Sequence, residues 1–234
     1  MPEPVAVRPA APGDVEALLR VKARSWREAY GALLPSAYLD AIEDRIPEDV
    51  PVWTALIGSD RDLWVADDGG RLLGVALAGP RRSAAETGRT GADDAAASPA
   101  DLPDVELMVL YVLAEAYGTG LGARLLDAVV GERPAMLRVL AENPRAVAFY
   151  AKHGFAAVGA PEPMTGPWAG LHEQLMVRRR PHDGTGLRDI AEYRSVDSGA
   201  TNGGLVATSE RTWPGAGSAG GFHDGSGCAP GALA

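Results

Sequence analysis

The chain has 234 residues, 46% of them apolar, and a formal net charge of -9. That length holds one domain of about 150–200 residues plus accessory segments. The surplus of acid repels phosphate backbones, so nucleic acid is not an expected partner, and a polyanionic ligand has to be held by backbone amides or a few placed cations. The single cysteine, Cys228, rules out a disulfide within the chain and fits a reducing compartment. The opening MPEPVAVRPA lacks a basic segment followed by an apolar run, so no signal peptide is expected. The longest apolar stretch, Leu107 to Ala114, is too short to cross a bilayer. A cytoplasmic protein without a membrane partner is the expectation.

In chain order, Val5–Arg8 reads as a strand, and Pro12-Gly13-Asp14 as a turn with Asp14 capping the helix that follows. Val15, Leu18, Leu19, Lys22 and Trp26 recur at helical spacing, which predicts a helix over 14–30. A short helix is expected from Pro35 or Ser36 to Ile42, and a further turn or two over Pro51–Ile57. Leu63–Ala66 and Leu72–Leu77 flank Asp67-Asp68-Gly69-Gly70, the pattern of a tight hairpin. Residues 81–104 are Ala-, Gly-, Asp- and Ser-rich and read as a flexible insertion. Val105–Val112 is a strand with a near-continuous apolar run, which suggests burial on both faces. A helix is expected from about Gly120 to Gly131, a strand over Met136–Leu140, a helix over Pro144–His153 stopped by Gly154, and closing strands over Phe155–Val158 and Glu173–Val177. Residues 181–234 turn Gly- and Ser-rich and read as a disordered tail. The order of elements fits an α/β or α+β domain with a mixed sheet over residues 1–180.

The most informative text is Leu110-Tyr111-Val112-Leu113-Ala114-Glu115-Ala116-Tyr117-Gly118-Thr119-Gly120-Leu121-Gly122. A strand runs into a glycine-bearing loop and directly on into a helix. Glycines let the backbone turn sharply and approach a ligand closely. A helix N-terminus offers unpaired N–H donors and a partial positive charge, so the junction suits an anion. The spacing is not G-x-G-x-x-G, and no Lys-Ser or Lys-Thr pair follows, which disfavours dinucleotide and P-loop sites. The segment resembles the acetyl-CoA loop of the GNAT superfamily, Q/R-x-x-G-x-G/A. Here Tyr117 stands where that family most often has Gln or Arg. The resemblance implies a GNAT acyl-CoA N-acyltransferase fold: a central, mostly antiparallel sheet, splayed between its fourth and fifth strands and flanked by helices.

A second stretch, Asn143-Pro144-Arg145-Ala146-Val147-Ala148-Phe149-Tyr150-Ala151-Lys152-His153-Gly154-Phe155, resembles the family's N-x-x-A-x-x-F/L-Y-x-x-x-G-F signature. The region Ser25-Trp26-Arg27-Glu28-Ala29-Tyr30-Gly31 with Leu33-Leu34-Pro35 and Tyr38-Leu39 is similar to the part of bacterial GNAT proteins that frames the acceptor pocket. The resemblance covers about residues 5–178. It implies acetyl-CoA as the acetyl donor, with Leu110, Tyr111, Val112, Tyr117, Gly118, Thr119, Gly120, Leu121, Gly122, Asn143 and Ala146 as its binding residues. It implies that Asn143 meets the pantetheine arm, that Tyr150 protonates the departing thiolate, and that a backbone N–H in Leu110–Val112 stabilises the oxyanion. From the residues alone, Asn143 is also a good N-cap, Phe149 is also a candidate core aromatic, and Tyr150 and Trp26 read first as core aromatics.

An amine acceptor with an ordinary pKa of about 10.4 has to lose a proton before it attacks. Glu106 is the candidate base, since a charge in an apolar strand needs a reason; its alternative is an edge carboxylate facing solvent. Strict alternation groups Glu106 with Met108, Leu110 and Val112. His153, His172, His182 and His223 are not spaced as metal ligands, and no metal is expected. The expected function is N-acetyl transfer to a primary amine of a small molecule or protein. The alternative is an acetyl-CoA-binding sensor or interaction module without turnover. Relatives often form homodimers, and the acceptor and oligomeric state stay open.

Overall fold

The computed structural model describes residues 4–87 and 99–179. The tail expected at 181–234 and the middle of the 81–104 insertion lie outside the described residues. The described chain runs β1 (Ala6–Pro9), α1 (Val15–Tyr30), α2 (Ser36–Asp44), α3 (Ile46–Leu56), β2 (Asp62–Asp68), β3 (Arg71–Pro80), α4 (Ala84–Thr87), β4 (Val105–Val112), α5 (Leu121–Val130), β5 (Ala135–Leu140), α6 (Pro144–Lys152), β6 (Ala156–Pro163) and β7 (His172–Arg178).

The strands form one seven-stranded sheet in the order β1-β2-β3-β4-β5-β7-β6. Each neighbouring pair is antiparallel except β4 and β5, which are parallel and joined by the crossover through α5. The β2–β3 hairpin closes on Gly69 and Gly70, both with positive φ (62° and 95°). That is the backbone a two-residue turn needs to follow the twist of its strands. Asp67 Oδ1 fixes the turn by accepting from the Gly70 N–H at 2.7 Å.

The two faces of the sheet carry different helices. Tyr111 on β4 meets Trp26 of α1 edge-on, with ring centroids 6.3 Å apart. On the opposite face α5 presses so close to β3 that a Cβ on Gly74 would lie 2.9 Å from Leu125 Cδ1. Successive strand residues point to opposite faces, which is why β3 and β4 are buried almost throughout. The main core includes Leu18, Leu19, Trp26, Tyr30, Val65, Val75, Leu110, Leu125 and Leu137.

Several boundaries differ from those expected. Asp14 occupies the N-cap position of α1 as expected, but its side chain makes no capping hydrogen bond there. Pro12–Asp14 forms its own 3-10 turn, and the Asp14 carboxylate reaches back to accept from the Ala11 N–H at 2.7 Å and from Arg8. Arg8 also binds Asp67, so one guanidinium ties β1, β2 and the entry to α1. α3 begins at Ile46 rather than Pro51. Pro47 occupies its first turn, where no N–H is required, and Pro51 lies inside the helix. Part of the stretch expected to be loop is ordered. Ser83 Oγ accepts from the Glu86 N–H at 3.3 Å while Glu86 Oε2 accepts from the Ser83 N–H at 2.8 Å. That reciprocal pair is a capping box, and it starts the single turn of α4.

Candidate functional site

β4 and β5 pair only at Glu106↔Met136 and Leu107↔Leu137. At that point β4 also carries a bulge against β3. Leu77 pairs with Val109 and Ala78 with Leu107, which leaves Met108 without a partner of its own. The extra residue breaks the alternation expected for Glu106, Met108, Leu110 and Val112, because the side-chain order slips by one at a bulge. Beyond Leu107, β4 runs on to Val112 and β5 to Leu140 without a ladder between them. Over Leu110–Val112 no ladder joins β4 to β5.

One end of this gap is bounded by the glycine loop. Gly118 and Gly120 have φ of 76° and 81°, and a Cβ added at either would meet no protein atom within 4 Å. These two glycines provide the left-handed backbone and leave the approach open. Gly122 is helical, and its hydrogen faces the Phe149 ring, 3.5 Å from where a Cβ would be. Thr119 Oγ1 donates to the Ala116 carbonyl at 2.7 Å, and Leu121 is buried. The first-turn N–H groups of α5 have no partner within the helix. Tyr117 lies flat beneath a cation: Arg145 Cζ sits 3.4 Å from its ring centroid.

The facing wall is the start of α6. Asn143 is its N-cap, with Oδ1 accepting from the Ala146 N–H at 3.1 Å. Ala146 is fully buried. Tyr150 is also fully buried, packs edge-on against Phe149 and Phe155, and has a hydroxyl without a hydrogen-bond partner. Desolvation pushes its phenol well above the usual value, and the neighbouring Tyr30 and Tyr111 add to the shift. Burial raises the Tyr30 phenol as well. The Asn143 side chain lies beside the Tyr30 hydroxyl and eases that shift, although no well-formed hydrogen bond satisfies the hydroxyl.

Glu106 sits at the start of β4, 2% exposed. It does not face solvent. Arg82 holds it in an ion pair with Nη2 at 2.7 Å from Oε1, and the Arg82 backbone N–H donates to Oε2 at 2.9 Å. The structure brings Tyr150 and Asn143 to one cluster around Tyr30, while Glu106 lies at the closed end of the gap, where the two strands still pair.

On the α1 face, Trp26, Tyr30, Tyr38, Tyr111 and Trp168 form a set of edge-to-face ring contacts 5.4–6.3 Å between centroids. Trp26 Nε1 and Tyr30 Oη are buried without partners. Lys22, one turn earlier on α1, lies 5.7 Å from the Trp26 ring centroid and 5.2 Å from that of Trp53. Sequence reasoning did not single out Arg82, Trp53 or Trp168. The only signal for Lys22 was a lysine at a position of the apolar stripe of α1. Among the described residues no group of three or more His, Cys, Asp or Glu is placed to hold a metal ion, and no helix is long and apolar enough to cross a membrane.

Residues 59–157 match the acetyltransferase (GNAT) domain family. A comparison with curated proteins finds no match. Among solved structures, a protein from Corynebacterium glutamicum described as histone acetyltransferase HPA2 and related acetyltransferase is 21% identical, with a TM-score of 0.53 over 79% of this chain and 100% of that one. The PaiA N-acetyltransferase of Thermoplasma acidophilum, solved in complex with coenzyme A, is 19% identical, with a TM-score of 0.51 over 76% of this chain and 99% of that one. YjaB of Escherichia coli, in its apo form, is 17% identical with a TM-score of 0.50. At these identities the likeness is one of fold.

Proposed function

We propose that this chain, which carries a GNAT acetyltransferase domain, transfers an acetyl group from acetyl-CoA to a primary amine. The observation that carries this reading is the parting of β4 from β5 after Leu107 and Leu137, flanked by the glycine loop on one side and α6 on the other. The coenzyme A complex of the Thermoplasma protein supports it.

In this reading the pyrophosphate lies against the N–H groups of Gly118, Gly120 and Gly122 at the start of α5, where the helix dipole favours an anion. Tyr117 supplies no cation, and Arg145 stacked on it provides one beside the loop. The pantetheine arm follows the gap past Asn143. The thioester oxygen is held by a backbone N–H of Leu110–Val112, where no ladder joins β4 to β5, a donor already in place where negative charge develops. Glu106 takes the ammonium proton, directly or through a water. The amine nitrogen then bonds to the carbonyl carbon, the carbon–sulfur bond breaks, Tyr150 gives its proton to the thiolate, and the second proton shed by the nitrogen restores the phenol. A buried phenol whose pKa is raised stays protonated at neutral pH, the state this step requires.

The test is purified protein with acetyl-CoA and a panel of primary amines, followed by release of free CoA thiol and the mass of the products. Thiol release coupled to one acetylated amine is the expected result. Tight CoA binding with no amine-dependent release would instead favour a binding module without turnover.

A further inference from the structure

We infer that the acceptor carries a carboxylate, seated between the Lys22 ammonium and the Trp26 indole N–H. This names the substrate class of the site above and rests on the acetyltransferase reading.

One charge on α1 is unmatched. The arginines on the exposed side of α1 each have an acid: Arg20 pairs with Glu16, Arg24 with Glu28, and Arg27 with Asp40. Lys22 faces inward and is 7% exposed. No carboxylate among the described residues forms a hydrogen bond or ion pair with it. Its ammonium is met by the rings of Trp26 and Trp53. Aromatic faces attract a cation, but far less than a counter-ion does, and a buried cation without one is costly. In an acidic chain such a lysine is conspicuous.

A second orphan lies beside the first. Trp26 Nε1 is buried and has no acceptor. An indole N–H and an ammonium are both donors only. The missing partner must therefore be an acceptor, and one that carries negative charge answers both. A carboxylate has two oxygens, one for each donor. A second amine or a bare alkyl group would leave both orphans as they are.

The position fits an acceptor site. Lys22, Trp26 and Tyr30 follow one another at i, i+4 and i+8 along one side of α1. Tyr30, at one end, lies beside Asn143 and near Tyr150, where the reading above places the pantetheine arm and the sulfur. Trp26, in the middle, abuts Tyr111 of β4, the strand that presents the oxyanion donor. Lys22 is the far end. An acceptor lying along this stripe has its amine toward the thioester and its carboxylate at Lys22.

The experiment compares matched amines with and without a carboxylate: L-phenylalanine with phenylethylamine, L-leucine with isopentylamine, and L-lysine with cadaverine. Wild type, Lys22→Met and Lys22→Arg are each checked for folding by thermal melting and for CoA binding by calorimetry. We expect wild type to favour the carboxylate member of at least one pair by about 10-fold or more in kcat/KM. Lys22→Met should bring that ratio close to one, chiefly through KM, and Lys22→Arg should restore part of it. The difference in amine acidity within a pair is the same for every variant, so the change in ratio reads Lys22 alone. Turnover without preference in wild type, or a preference that survives Lys22→Met, overturns the carboxylate and leaves the acetyltransferase standing. No turnover of any amine overturns both.

Discussion

Arg82 grips Glu106 with both backbone and side chain, its backbone N–H donating to Oε2 at 2.9 Å, its Nη2 to Oε1 at 2.7 Å and its Nε to both oxygens at 3.2 Å. The contact joins the chain just past β3 to the start of β4, at the closed end of the gap between β4 and β5. The arginine belongs to a stretch that reads as filler in the sequence, and the carboxylate is the one candidate base.

Removing one partner leaves a buried carboxylate uncompensated. Breaking a fully buried pair costs about 3–5 kcal/mol, and the partial exposure of Arg82 puts Arg82→Ala toward or below the low end of that range. A lowered melting temperature with the fold retained is the expected outcome. Glu106→Gln separates structure from chemistry. If Glu106 receives the ammonium proton, kcat/KM falls by about 100-fold. A variant that is less stable but turns over normally would confine Glu106 to its ion pair.

Tyr150→Phe removes only a hydroxyl that has no partner in the folded chain. Deleting an unsatisfied buried polar group is neutral or stabilising, so the melting temperature should hold or rise. CoA affinity should stay close to wild type because the ring still fills its place. If the hydroxyl protonates the thiolate, kcat drops by about 100-fold where chemistry limits the rate. An unchanged kcat would remove Tyr150 from the mechanism.

Gly120 has φ of 81° and open space where a side chain would project. In Gly120→Val the β-branched side chain is strained in that conformation and stands where a phosphate would approach. We expect CoA to bind at least ~10-fold more weakly, about 1.4 kcal/mol, with the fold retained. Isothermal calorimetry decides it, and wild-type affinity in this variant would place the phosphates elsewhere.

The Arg8 guanidinium holds the Asp14 carboxyl below the usual range, with the Ala11 N–H helping and burial opposing. A carboxyl lowered in the folded state contributes stability above its unfolded pKa of about 3.9. That contribution is lost as the pH falls through the lower folded value. Asp14→Asn keeps an acceptor for Ala11 and removes the charge. Arg8 is one-third exposed, so the loss at pH 7 should be under about 1 kcal/mol. Denaturant melts should show the gap between variant and wild type closing as the pH is lowered through the range where Asp14 titrates.

Features set by local chemistry were legible in the sequence. Gly69-Gly70 turned the hairpin, Asn143-Pro144 opened α6, and Gly154 followed its end with φ of 83°. Features set by pairing were not. The bulge at Met108 sits within a run of apolar residues, where one extra residue leaves no trace in the pattern. Only its pairing with β3 shows that Glu106 is out of step with Leu110. Asp14 reads as a capping side chain because the sequence cannot show that Arg8 and Ala11 claim its carboxylate first. Arg82 and Glu106 are separated by 24 positions, and Lys22 meets Trp53 only because α1 packs on α3. The glycine loop follows the end of β4 and Asn143 that of β5, while Ala146 and Tyr150 are buried in the core.

The shortness of the β4–β5 ladder bears on how the domain holds together. Elsewhere in the sheet, neighbouring strands share four or more residue pairs, so opening one disturbs the next. Across this seam only two residue pairs pass that disturbance on. The block β1–β4 and the block β5–β7–β6 are thus coupled mainly through side chains and the crossover helix. A molecule lying in the seam and bonding to both edges would act as the missing rungs. Bound coenzyme should then slow amide hydrogen exchange along β4 and β5 together, well beyond the atoms it touches, and merge two weakly linked unfolding units into one.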